Sequence, residues 1–187
     1  MTNLYMALTH YPVINRNGEK IASAVTNLDL HDISRSAKTY GIKTFFVVTP
    51  LCDQKGLIEK IVSHWTKGAG LKYNPARAEA LNLISIEKTL EDTVENIKKD
   101  CRRFPKIVVT CAKKKDNSIT MQRFRSMIKA DGGTYLLVFG TAWGLADELI
   151  SKADYVLEPI RGNTGYNHLS VRSASAIILD RLLGRDF

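Results

Sequence analysis

Tyr135-Leu136-Leu137-Val138-Phe139-Gly140 (YLLVFG) and Tyr155-Val156-Leu157-Glu158-Pro159-Ile160 (YVLEPI) decide the fold of this chain. Each is a continuous apolar run that ends in a glycine-bearing bend and then a helical pattern. The first continues through Thr141-Ala142-Trp143-Gly144-Leu145-Ala146-Asp147-Glu148 into a short helix. The second passes through Arg161-Gly162-Asn163-Thr164-Gly165-Tyr166-Asn167-His168-Leu169-Ser170 into a long apolar helix from Val171 to Leu183. In a parallel sheet both bends fall at one carboxyl edge, where small ligands bind. The spacing therefore predicts a cofactor site there.

Upstream, strands and helices alternate. Leu4–Leu8, Thr44–Val48, Ile84–Ile86 and Ile107–Cys111 read as strands, with Ile21–Val25 as one arm of a hairpin-like excursion through the Asn17-Gly18 turn. Helical spacing covers roughly 30–40, with Asp29 as its N-cap, then 54–66, 76–81 behind Pro75, a helix capped by Thr89 that ends before Pro105, and 120–130. Lys67–Asn74 (KGAGLKYN) reads as a loop. Strands alternating with helices of this length predict βαβ units: an α/β fold with a mainly parallel sheet flanked by helices.

The 187 residues fit one domain with its own core. The longest apolar runs fall well short of a membrane helix, and the start Met1-Thr2-Asn3-Leu4-Tyr5-Met6 does not look like a signal peptide. The expected location is the cytoplasm. Cys52, Cys101 and Cys111 are odd in number and unpaired in spacing, which argues against a disulfide framework or a structural metal site. Cys111, on an apolar strand, reads as a small buried hydrophobe.

The formal charge of +8 is concentrated. From Lys98 to Lys129 there are eleven basic residues, among them Lys113, Lys114, Lys115, Arg123 and Arg125, against Asp100 and Asp116. The rest of the chain is close to neutral. For any single Lys a solvated helix face is the simpler reading, but an excess confined to one segment is the footprint of a phosphate-backbone binder.

Taken in order, three segments resemble the motifs of the SPOUT class of RNA methyltransferases. Asp32-Ile33-Ser34-Arg35-Ser36-Ala37-Lys38-Thr39-Tyr40-Gly41-Ile42 resembles the first, an Arg on a helix that ends in Gly before a strand. Leu137-Val138-Phe139-Gly140 with Gly144-Leu145 resembles the second. Glu158-Pro159-Ile160-Arg161-Gly162 followed by His168-Leu169-Ser170-Val171 and Ser173-Ala174-Ser175-Ala176 resembles the third. Two differences mark a divergent branch: Pro159-Ile160 inverts the usual order, and His168 stands where the class commonly has Asn, with Asn167 just before it.

The resemblance implies a carboxyl-terminal trefoil knot, S-adenosyl-L-methionine as methyl donor, an RNA acceptor (tRNA or rRNA) and a homodimer. Adenine and ribose are neutral, so backbone groups at strand ends would hold them: Phe139, Gly140 and Thr141; Leu157, Glu158, Pro159, Ile160 and Gly162; His168, Leu169 and Val171; and Thr110 on the neighbouring strand. Arg35 would grip RNA phosphate or help activate the acceptor; its structural alternative is an ion pair with Asp29 or Asp32. Asn167 and Ser170 would complete the catalytic set, although Ser170 also suits the N-cap of the last helix. His168 is open to an acid/base role or a hydrogen bond within its loop, and Arg172 to solvent or substrate. RNA would run over Arg35, Lys113, Lys114, Lys115, Arg123 and Arg125, and the dimer would form through the final helix, apolar on more than one face at Ala174, Ile177, Ile178, Leu179, Leu182 and Leu183. The rival reading is an RNA-binding protein of the same fold without catalysis. Neither G-x-G-x-x-G nor a phosphate-binding G-x-x-x-x-G-K-[ST] is present.

Overall fold

A computed structural model describes residues 3–115, 118–130 and 132–185. Met1, Thr2 and Asp116, used above for the start of the chain and the charge of the basic segment, lie outside the described residues. The elements follow in the order β1 (Asn3–Thr9), β2 (Val13–Ile14), β3 (Lys20–Ile21), α1 (Asn27–Thr39), β4 (Phe45–Val48), α2 (Cys52–Thr66), α3 (Ala69–Tyr73), α4 (Pro75–Leu81) and β5 (Ile84–Glu87). They continue with α5 (Leu90–Cys101), β6 (Lys106–Thr110), β7 (Ser118–Ile119), α6 (Met121–Ala130), β8 (Thr134–Gly140), α7 (Asp147–Lys152), β9 (Tyr155–Leu157) and α8 (Val171–Leu183).

Seven strands form one sheet in the order β5-β4-β1-β8-β6-β9-β7, and every pairing is parallel. Their near-continuous apolar character follows from burial on both faces. Leu4, Met6 and Leu8 of β1 point to one side with Tyr135, Leu137 and Phe139 of β8, joining Ile33 of α1, Ile58 of α2, Phe124 of α6 and Leu179 of α8. Tyr5, Ala7, Leu136 and Val138 point to the other, against Ile97 of α5 and Leu149 of α7. The period of two along each strand thus divides the core between two helical layers.

Four local expectations are corrected. The N-cap of α1 is Thr26, whose hydroxyl accepts from Asp29 N at 3.1 Å, so Asp29 lies in the first turn and is buried. Of the expected strand Ile21–Val25 only Ile21 pairs, together with Lys20 before it, in an antiparallel hairpin with β2. The stretch expected as a loop at 67–74 contains α3, because Gly70 packs against the Trp65 ring; a Cβ there would lie 2.6 Å from it. The sheet also gains β7, too short to leave a periodic signal, while β9 stops at Leu157 where Glu158 turns to bond Ile119 O.

β9 sits between β6 and β7, which are consecutive in the chain. Chain from the carboxyl-terminal segment therefore separates two strands joined by a short connection, the segment Cys111–Asn117 in sequence. No helix among the described residues is long and apolar enough to cross a membrane.

Candidate active site

Because the sheet is parallel, the segments after β6, β8 and β9 emerge at the same edge, and β6 alone separates β8 from β9. At a strand spacing of about 4.8 Å, the two glycine-bearing bends are roughly 10 Å apart. The edge brings together Thr110, Phe139, Gly140, Thr141, Leu157, Glu158, Pro159 and Ile160 as expected.

The two bends differ in how their backbone is used. After β8, the amide of Thr141 donates to Thr9 O, that of Trp143 to Ile14 O, that of Gly144 to Thr141 O and that of Ala146 to Pro12 O. Ile14 N in turn donates to Gly144 O at 3.0 Å. The β2–β3 hairpin is thus a buttress for this bend, further tied by Lys20 to Glu148 at 2.7 Å. Gly140 is required by packing: a Cβ there would lie 2.7 Å from Leu145 N. Ala142 holds a left-handed φ of 52°, a conformation costly for a residue with a side chain.

The Asn17-Gly18 turn is legible in the sequence but the hairpin's role is not, because the contact joins segments over a hundred residues apart. Beside the buttress lies a partly buried polar chain: His10 Nδ1 is 3.0 Å from the half-buried Ser23 Oγ, Ser23 Oγ is hydrogen-bonded to Thr141 Oγ1, and Thr141 Oγ1 donates to Thr9 O. Desolvation pushes the His10 imidazole down to about 4, against the opposing pull of Asp29. The unfolded histidine, near 6.5, then binds more protons than the folded one between those values. Stability should accordingly be full above about pH 6.5 and fall by about 1.4 kcal/mol per pH unit on acidification toward pH 4. Urea unfolding at pH 7 and 5 should show this loss, and His10→Asn should flatten much of it; an unchanged slope would place the linkage elsewhere.

The bend after β9 is freer. Glu158 is anchored, its amide on Ile119 O and its Oε1 accepting from Met121 N at 2.8 Å, so this side chain serves the start of α6. From Ile160 to Leu169 no backbone amide donates to another backbone group among the described residues. Gly162 has nothing within 4 Å of a notional Cβ and no left-handed φ, so neither packing nor backbone geometry dictates it. Asn167 Nδ2 donates to Ala112 O at 2.9 Å and ties this bend to the segment after β6. His168 is exposed, its ring edge-on to Tyr166 at 5.4 Å, and Leu169 is exposed. Ser170 caps α8 by accepting from Ser173 N at 3.2 Å, and Val171 opens that helix.

The expected ion pair of Arg35 is made by another residue. Arg172 reaches Asp29 at 3.2 Å and Asp32 at 3.5 Å, holding the start of α8 to α1. Arg35 is exposed with no carboxylate partner among the described residues, and it lines a hollow between α1 and α4 rather than the carboxyl edge.

The fold also divides the basic segment. Lys113, Lys114 and Lys115 follow β6 at the carboxyl edge, beside the site, with Lys115 in an exposed pair with Asp147 at 3.5 Å. Arg123 lies in the first turn of α6, whose start follows the carboxyl end of β7. Lys98, Lys99, Arg102, Arg103 and Lys106 lie toward the opposite edge, at the end of α5 and the start of β6. Arg125 is committed to structure, donating to Arg181 O at 2.9 Å and Gly184 O at 2.8 Å at the end of α8.

The fold is thus an α/β protein whose parallel sheet gathers two glycine-bearing bends at one carboxyl edge, where open sheets of this kind bind small ligands. A family model described as "SAM-dependent RNA methyltransferase" matches residues 3–184, and the chain belongs to that family. Curated relatives named "tRNA (guanine-N(1)-)-methyltransferase" are 47% identical in Nitratidesulfovibrio vulgaris and 41% in Oleidesulfovibrio alaskensis, each alignment covering 97% of this chain. The chain spans only 42% of each of those relatives. An uncharacterized protein of Aquifex aeolicus is 39% identical, the match covering 98% of this chain and 90% of that one.

Solved structures share the fold. A probable methylase family protein from Haemophilus influenzae matches with TM-score 0.63 at 17% identity, covering 97% of this chain and 65% of its own. TrmJ from Z. mobilis matches with 0.61 at 15%, covering 97% and 69%, and the A. aeolicus TrmH/SpoU tRNA modifying enzyme with 0.57 at 17%, covering 98% and 75%. The chain thus belongs to the SAM-dependent RNA methyltransferase family and shares the fold of the TrmH/SpoU enzyme.

Proposed function

We propose that the chain methylates a nucleotide of structured RNA, with tRNA as the first substrate to test, from a donor held at the carboxyl edge between the bends after β8 and β9. The observation that carries this is that no amide of 160–169 donates to another backbone group among the described residues, while the bend after β8, at the same edge of the sheet, is fixed by the hairpin. S-adenosyl-L-methionine supplies an electrophilic methyl group that needs only alignment with its acceptor. Gly162, His168 and Leu169 would offer backbone contacts to the donor, with Gly140 and Thr141 as the rigid opposite wall. Asn167, bonded to Ala112 O, would keep the segments after β6 and β9 in register, and Ser170 would fix the start of α8. The Arg35 guanidinium would grip phosphate while the acceptor proton leaves to phosphate or water.

Lys113, Lys114, Lys115 and Arg123 would form the RNA surface at this edge. The tRNA assignment draws on the names of relatives of which this chain spans under half, and on the tRNA modifying enzyme that shares the fold. A homodimer is supported by α8, where Ala174, Ile177 and Leu183 remain half-buried beside α1 with its exposed Leu28. The position of β9 between β6 and β7 supports the knot. Such an enzyme would meet its RNA in the cytoplasm.

Incubation with labelled S-adenosyl-L-methionine and RNA from a strain lacking the gene, followed by nucleoside analysis, tests the proposal. Cofactor at a hundredfold over its Kd should raise stability by about 2.7 kcal/mol. RNA binding without either response would leave a binding protein of this fold. Reversing the charges of Lys113, Lys114 and Lys115 together should weaken RNA binding about tenfold or more and flatten its salt dependence by up to roughly one unit of slope per lost phosphate contact. Filter binding across a salt series checks this, and an unchanged slope would make the run a solvated face.

A further inference from the structure

The hollow beside Arg35 is built for more than one guanidinium. Arg35, Lys38 and Thr39 of α1 line it together with Asn74, the N-cap of α4, and Arg77 and Glu79 of that helix. Three cations thus share the hollow with one carboxylate. The Arg77 guanidinium lies 4.7 Å over the Trp65 ring, and the His31 imidazole stands edge-on to the same ring at 5.3 Å. Stacking on an aromatic face fixes the plane of a guanidinium and favours its use as a preorganised fork. Arg77 Nε is buried without a hydrogen-bond partner, as is His31 Nδ1. His31 also senses the local field: desolvation lowers its pKa, and the charges of Arg77 and Arg35 lower it further.

Glu79 answers Lys38 at 2.7 Å, but both side chains are largely exposed, at 65% and 42%. An exposed pair of this kind is worth at most about 1 kcal/mol and exchanges readily for a better anion. Packing between α1 and α4 does not by itself require three cations in one hollow, two of them on the facing turns of separate helices. No carboxylate pairs with Arg35 or Arg77 among the described residues.

We propose that this hollow is a second RNA contact, in which Lys38 and Arg77 join Arg35 to hold a backbone phosphate away from the carboxyl-edge cofactor site. This rests on the reading of the chain as an RNA methyltransferase. Its consequence is that RNA is gripped at two separated points, Lys113–Lys115 at the edge and Lys38–Arg77 on the flank, so that the flank sets affinity without touching the cofactor.

The test compares the wild-type chain with Lys38→Gln, Arg77→Gln and the double variant. RNA affinity should fall about five- to tenfold in the double variant, and the slope of log K against log salt should lose roughly one unit, the signature of a released phosphate contact. Cofactor affinity, measured by calorimetry, should stay at the wild-type value. Because Arg77→Gln also removes a stack on Trp65, Lys38→Gln provides a version that leaves that packing intact, and it should show the same direction of change.

Wild-type affinity and salt slope in both single variants and the double would overturn the proposal. So would a change in oligomeric state by light scattering with RNA slope unaltered, which would make the hollow a protein interface. Inorganic phosphate at tens of millimolar should compete only weakly; full competition without an RNA effect would mean a free-anion site and would also overturn it. If the wild-type chain itself binds neither cofactor nor RNA, it is the functional reading that fails.

Discussion

Replacing Arg35 by alanine is expected to lower methyl transfer at limiting RNA by about ten- to a hundredfold, the loss of a charge-assisted phosphate bond worth about 1.5–3 kcal/mol. Cofactor affinity should stay within about twofold of the wild type, a difference of less than ~0.5 kcal/mol. The separation follows from position. Arg35 is exposed on α1 and opens on the hollow shared with α4, whereas the cofactor would lie against the bends after β8 and β9. No ion pair among the described residues depends on it, because Arg172 holds Asp29 and Asp32. The substitution therefore leaves the α1–α8 junction in place, and the melting temperature should hardly move. Single-turnover transfer with labelled cofactor, set beside calorimetric titration of the same variant, decides the matter. Equal loss of transfer and of cofactor binding would mean that Arg35 supports the fold or lies in the cofactor pocket.

Much of this arrangement is legible in the amino-acid sequence, and the reason is physical. Strands buried on both faces need unbroken apolar runs, so Phe45–Val48, Lys106–Thr110 and Thr134–Gly140 announce themselves. The last helix matches its pattern from Val171 to Leu183, because Ser170 is a strong N-cap and Gly184 ends it. Thr89 caps α5 for the same reason, accepting from Asp92 N.

What could not be read is long-range. Thr26 rather than Asp29 caps α1, since Asp29 is drawn inward to meet Arg172 from a segment 143 residues away. Glu158 looks like a cofactor-loop acid, yet it is spent on the amide of Met121. Arg125 belongs to a basic run but finds carbonyls at the end of α8. In each case the sequence names a group able to make a strong bond, and only the fold selects the partner.

The two bend glycines give the second large effect, because the fold treats them oppositely. In Gly140→Ala the new Cβ would lie 2.7 Å from Leu145 N and 2.9 Å from Leu145 Cγ. The backbone atom cannot retreat cheaply, since Gly144 and Ala146 on either side are hydrogen-bonded into the hairpin and its own bend. The strain should cost about 1–3 kcal/mol, as overpacking does. In a chain of this size that lowers Tm by about 2–4 °C per kcal/mol. Cofactor affinity should fall with it, because relief of the clash means moving the wall of the site.

Gly162→Ala should behave differently. Nothing lies within 4 Å of its Cβ and its φ suits any residue, so folding should be unchanged or slightly favoured by the lower entropy of the unfolded chain. If the backbone of this bend approaches the adenosyl group, the same methyl stands in the path of the ligand, and affinity should drop about tenfold, ~1.4 kcal/mol. Thermal melts and calorimetry on the two variants separate these outcomes. Loss of stability at Gly140 with loss of binding alone at Gly162 is the pattern required; a Gly162→Ala variant that binds cofactor like the wild type would remove the bend after β9 from the site.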